Sequence, residues 1–139
     1  MVSDALLGAL VGGALTALGS FAVYYFGEWR NRRIQLKALL VEIQHNISVS
    51  QKELEEKLPW ELRHAYHTLS YTSAKDAGAI SSLPIELREK VLDIYDIIFA
   101  LHRDEMGNAA AKKERIQYVR DLNIGLRDLC TLLEKHLDP

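Results

Sequence analysis

From Ala5 to Phe26 the chain has no charged residue and no proline. The first absence excludes an ordinary surface helix, which needs a polar face toward water. The second leaves nothing to break a helix. Charge is confined elsewhere: of the 17 Lys and Arg and 19 Asp and Glu, only Asp4 precedes Glu28. Cysteine is nearly absent, Cys130 being alone, so an intrachain disulfide and any Cys-x-x-Cys metal or redox site are excluded. Set among the apolar residues of a helical pattern, Cys130 reads as a reduced core thiol. There is no Gly-rich phosphate loop, nucleophile elbow or zinc-ligand spacing, and no sustained two-residue alternation that would mark a strand. Neither sign of charge dominates, with a formal net of -2. This balance excludes a general nucleic-acid surface.

The uncharged tract covers 22 residues, 5–26. As a helix it would extend about 33 Å, enough for a hydrocarbon core of about 30 Å. A cleavable leader would carry positive charge before its apolar region, whereas "MVSD" carries an acid, and Arg30, Arg32, Arg33 and Lys37 follow the tract. The reading is a membrane span with its amino terminus outside the cell (inner) membrane and residues 28–139 in the cytoplasm. Tyr24, Tyr25, Phe26 and Trp29 then stand where an aromatic belt meets the inner headgroups. The basic cluster is expected to set topology and touch anionic lipid. Two segments follow from this division, a transmembrane anchor over 1–27 and a cytoplasmic helical domain over 28–139.

On a helix, residues four apart share a side, and two adjoining rows of the span are small throughout. Ala5, Ala9, Gly13 and Ala17 form one, and Gly8, Gly12, Thr16 and Ser20 the other. Leu7, Leu10, Val11, Leu15 and Leu18 lie mostly away from them. Glycine is a poor helix former, so glycines on one stripe point to close backbone approach by another membrane helix. With one span in the chain, that helix comes from a second copy or from an unidentified protein partner. Self-association is the simpler reading.

Beyond the span, Leu36, Leu40, Ile43, Ile47, Ser50 and Leu54 alternate spacings of four and three, predicting one helical rod that runs on to about Lys57 before Pro59, with Gly27 as its most flexible point. A less regular helix with Trp60, Tyr66 and Leu69 is expected next. "YTSAKDAGAISSLP" then reads as a connection holding one helical turn. Pro84 suits the start of a third helix presenting Leu87, Val91, Ile94, Ile98 and Leu101. "MGN" at 106–108 supplies a stop and a cap for a fourth, which presents Val119, Leu122, Leu126, Leu129 and Leu133. The fold class is therefore all-α, a transmembrane helix continuing into an antiparallel four-helix bundle.

The order apolar span, basic cluster, "LKALLVEIQHN", then "LPIELREKVLDIYDII" resembles a diffuse group of small prokaryotic membrane-anchored helical proteins. Some of similar layout act as membrane effectors in antiviral defence, and the resemblance implies that role here without transferring any catalytic residue.

Three constellations raise the question of chemistry. Glu42 with His45 and Glu61 with His64 repeat the Glu-x-x-His spacing of dimetal carboxylate bundles. The inward side set by Leu40, Ile43 and Ile47 places Glu42 and His45 toward the flank or outside, as solvated surface. "RHAYH", Arg63 to His67, is similar to the Arg-x-x-x-x-His motif of a helical ribonuclease family but has three intervening residues instead of at least four. His64 and His67 alone make an incomplete metal site. His102 and His136 suit helix carboxyl ends, Trp60 reads as a plug for the end of the bundle, and Tyr95 and Tyr118 as core-edge residues with hydroxyls in water. The resulting expectation is a non-enzymatic interaction or effector module without metal or cofactor. The rival readings are a membrane-tethered enzyme and an accessory subunit of a larger membrane complex.

Overall fold

Ser3 starts the first helix. Its extended backbone (φ -64°, ψ 141°) and its hydroxyl, which accepts from the Leu6 N–H at 3.3 Å, make it an N-cap, and Asp4 adds negative charge to the first turn. In a computed structural model of the chain, which describes residues 3–56, 66–103 and 109–139 (backbone only for 109–112), this helix, α1, runs unbroken over Asp4–Leu54. Its 51 residues extend about 76 Å. The helix passes through Gly27 without interruption. It stops where Glu56 enters the left-handed region at φ 57°, a conformation costly for a residue with a Cβ.

Three further helices complete the described residues, which contain no strand: α2 (Leu69–Asp76), α3 (Ile85–Arg103) and α4 (Ala109–Leu137). Pro84 sits just before α3, and its carbonyl accepts from the Arg88 N–H at 2.9 Å. Helix α4 runs antiparallel to α1. Gln44 reaches Glu134, Ser50 accepts from Asn123, and Glu53 accepts from Arg115, so positions fall along α4 as they rise along α1. It is also antiparallel to α3, through Lys90 to Asp128 and Arg115 to the Leu101 carbonyl. The five α3 positions and five α4 positions expected to face inward are all buried.

Two expectations are corrected. The stretch read as a connection contains the two-turn helix α2, whereas Tyr66 precedes that helix and Leu69 is 81% exposed. Trp60 and Pro59 lie outside the described residues, as does "MGN". Helix α2 closes with a Schellman motif: Gly78 takes φ 73°, its N–H donates to the Lys75 carbonyl, and Ala79 N–H donates to Ala74. Only glycine adopts that φ without strain.

The second correction concerns the buried face of α1. Leu36, Leu39, Glu42, Ile43, Asn46, Val49 and Ser50 are buried, whereas Leu40, Ile47 and Leu54 pack only at its margin. The core therefore takes polar groups onto its face. Tyr95 is likewise fully buried, not at the core edge, because Glu42 supplies an acceptor inside. Tyr118 is exposed as expected.

Candidate functional site: the exposed half of α1 and its junction with the helical domain

Every residue from Ser3 to Asn31 is exposed, although the stretch includes Leu6, Leu7, Leu10, Leu15, Phe21 and Val23. This half of α1 is the one described helix segment long and apolar enough to cross a membrane. It shares a continuous backbone with the half that builds the core. Local sequence explains the continuity, since no proline or charge interrupts residues 5–26.

The two small-residue rows (Ala5, Ala9, Gly13, Ala17; Gly8, Gly12, Thr16, Ser20) lie along this half, all exposed. Gly8, Gly12 and Gly13 have open space where a Cβ would stand. Thr16 donates its hydroxyl to the Gly12 carbonyl at 2.8 Å, so that polar group is satisfied within the helix.

Below the rows, aromatic rings touch in succession: Phe21 and Tyr25 at 4.7 Å between centroids, Tyr24 and Tyr25 at 6.3 Å, Phe26 and Trp29 at 5.8 Å. The basic cluster follows at once. The Arg33 guanidinium lies 5.6 Å from the Trp29 ring centre, within reach of a cation–π attraction, and its Nη2 is 3.2 Å from Asp138 at the end of the chain. Arg32 pairs with Glu28 one turn back at 3.5 Å. Arg30 and Lys37 are exposed. Where α1 meets the end of α4 and the link before α3, Tyr25, Trp29, Arg32, Arg33, Ser82 and His136 line a cleft of about 490 Å³.

Of the residues considered for catalysis, Glu42, His45 and His67 lie among the described residues. Glu42 is buried, which corrects its expected solvated position, while His45, three residues on, is exposed at the flank of that face and stacks on His67 at 3.9 Å between ring centres. Arg63, Glu61 and His64 lie outside the described residues. Among the described residues there is no group of three or more His, Cys, Asp or Glu able to hold a metal. His102 and His136 occupy the last turns of α3 and α4. Cys130 is half-buried, and its thiol is pushed above the ordinary range by burial and by the neighbouring Glu134 carboxylate.

Sequence reasoning missed the polar interior. The Glu42 carboxylate accepts from the Ser70 and Tyr71 N–H groups at 2.6 and 3.1 Å and from the Tyr95 hydroxyl at 2.8 Å. It thus serves as the N-cap of α2, whose own Thr68 makes no capping bond. Asn46 makes paired bonds with the His67 backbone, accepting at 2.8 Å and donating at 2.9 Å. Glu53 accepts from Tyr66 at 2.7 Å and from the buried Arg115 at 2.5 Å. A signal for this existed: Leu36, Leu39, Ile43, Asn46, Ser50 and Glu53 also alternate spacings of three and four. Choosing that seam requires admitting Asn, Ser and Glu to the buried face.

The polar interior fastens the helices to one another and leaves the junction of α1 as the place where exposed apolar, aromatic and basic side chains meet. Comparison of the chain with protein-family models, curated proteins and solved structures finds no match.

Proposed function

We propose that the protein is a single-pass, amino-terminus-out membrane protein whose cytoplasmic helical domain acts as a self-associating, non-enzymatic interaction or effector module. One observation carries this reading: an exposed apolar half-helix continues without a break into the helix that organises the core. In water, side chains such as Leu10 and Val23, 66% and 74% exposed, would each forfeit about 1.5–3 kcal/mol of burial. A lipid phase removes that cost. The continuity favours a permanent anchor over a removable leader, because the same helix contributes Leu36, Leu39 and Ile43 to the core.

Self-association rests on the two small-residue rows and on the open space beside their glycines. With Thr16 bonded to its own helix, Ser20 is the one polar side chain of the rows left to face a lumen. Several such spans would make a hydrophobic passage, so a gated or membrane-disrupting assembly fits better than an open channel. The role in antiviral defence is supported by the resemblance in layout alone.

The reading is tested in two steps on the full chain. In a Cys130→Ser background, Ser3→Cys should react with a membrane-impermeant maleimide in intact expressing cells and Lys52→Cys only after lysis; the reverse pattern refutes the topology. Light scattering of detergent-solubilised protein, corrected for bound detergent, should give a defined oligomer that Gly8→Leu/Gly12→Leu disperses. A monomeric wild type refutes self-association, and copurification with a foreign membrane protein would make the chain an accessory subunit.

A further inference from the structure

We propose that the cleft at the base of the apolar half of α1 binds the phosphate headgroup of an anionic phospholipid of the inner leaflet. The inference deepens the membrane-anchor reading and rests on it. The cleft begins where the apolar run ends, so with α1 across a bilayer it opens at headgroup level. Its lining includes Tyr25 and Trp29, residue types that settle at that interface. The lining also holds Arg32 and Arg33 with the Glu28 carboxylate beside them, His136 contributed from α4 and Ser82 from the link before α3. Three separate parts of the chain therefore converge on a space of about 490 Å³, within the size range of small-ligand sites, about 300–1,000 Å³.

Arg32 supplies the specific argument. Its Nη2 leans toward Glu28, but its Nε is shielded from water and makes no hydrogen bond among the described residues. A shielded donor without an acceptor is unfavourable; the Arg32 side chain as a whole is 42% open to solvent, so its guanidinium can turn from Glu28 to a phosphate oxygen in the cleft. The guanidinium fork suits a phosphate better than it suits a single point charge. Two carboxylates face the same arginines, Glu28 at 3.5 Å from Arg32 and Asp138 at 3.2 Å from Arg33. Both pairs are open to solvent, where such contacts are weak. Residues 28–37 still carry four basic groups against one acid. A soluble phosphate could use the same donors, but the aromatic lining residues and the position beside the apolar helix favour a ligand that brings acyl chains with it.

The test uses the full-length protein in detergent with equimolar phosphatidylglycerol and phosphatidylcholine of identical acyl chains, and counts retained lipid by native mass spectrometry. Wild type should retain phosphatidylglycerol over phosphatidylcholine by about fivefold. Arg32→Gln should bring that ratio near unity, while Arg30→Gln, the same charge change outside the cleft, should keep more than half of the preference. Millimolar glycerol 3-phosphate should not displace the lipid. Circular dichroism of each variant confirms that helix content is kept, and the wild-type ratio stands without any variant. A wild-type ratio near unity, or equal losses for Arg30→Gln and Arg32→Gln, overturns the proposal, and displacement by glycerol 3-phosphate reassigns the cleft to a soluble phosphate. Release of the protein from membranes by an alkaline wash would remove the anchor and the lipid site together. Retention in the membrane without lipid preference removes the lipid site alone.

Discussion

The hydroxyl of Tyr95 on α3 donates to Oε1 of Glu42 on α1 at 2.8 Å, and neither residue is more than 5% exposed. The same carboxylate accepts two N–H groups at the start of α2, so one side chain joins three helices. Tyr71 of α2 stacks on Tyr95 at 4.1 Å with planes 7° apart, which fixes the phenol that makes the bond. Burying a carboxylate is unfavourable unless its oxygens are satisfied, and here both accept.

Glu42→Ala would strand three donors in the interior. We expect a loss of about 3 kcal/mol in denaturant unfolding of the detergent-solubilised protein, with faster amide exchange at Ser70 and Tyr71. Glu42→Gln keeps one acceptor oxygen and should lose less. An Ala variant within about 0.5 kcal/mol of wild type would show that the carboxylate does not hold α2.

Asn46 pins the chain at His67 by accepting from its N–H and donating to its carbonyl. Asn46→Asp keeps the first bond and sets a carboxylate against the carbonyl; Asn46→Ala loses both. Each is expected to cost about 2 kcal/mol. Protection of the His67 amide should be kept better in the Asp variant, and equal exchange in both would contradict the geometry.

Burial raises the phenol pKa values of Tyr95, Tyr66 and Tyr71 above 10.0; the nearby carboxylates of Glu42, Glu53 and Asp96, respectively, add to it. All three groups are neutral in both states below pH 10, so their contribution to stability is fully present there. Above it the unfolded chain releases protons that the folded chain holds, and stability falls with rising pH toward the folded values. Tyrosinate absorbance at 295 nm should therefore show a component that rises together with loss of helix above pH 10. Tyr95→Phe should reduce that component. Full ionisation at intact helicity would refute the burial of these phenols.

Leu129 is fully buried and Leu10 is 66% exposed on the apolar half of α1. Leu129→Ala should cost about 2–5 kcal/mol in unfolding of the helical domain. Leu10→Ala should leave that transition within about 0.5 kcal/mol. Matching losses would mean that the apolar half of α1 packs against the domain.

Much of the helical layout was legible because α3 and α4 follow the simplest rule, with apolar residues on the inward face at spacings of three and four. Helix α2 was not. "LSYTSAKD" has little intrinsic helix preference and lacks a local cap, and the acceptor that starts it comes from Glu42, more than 25 residues earlier in the chain. The junction was legible in its parts, since Trp29, Arg32 and Arg33 adjoin the apolar tract. The cleft was not, because Ser82 and His136 reach it only through the packing of α4 and the link before α3.

The sequence by itself determined the all-α class, the long apolar half of α1 and the inward faces of α3 and α4. Each of these depends on neighbours within a few turns, through propensity, periodicity and the absence of charge or proline. The tertiary structure alone decided which face of α1 turns inward, that Glu42, Asn46 and Tyr95 belong to the interior, and where Arg32 and His136 meet. A polar residue can be buried only if a distant part of the chain supplies its partner, and local sequence carries no record of that partner's position.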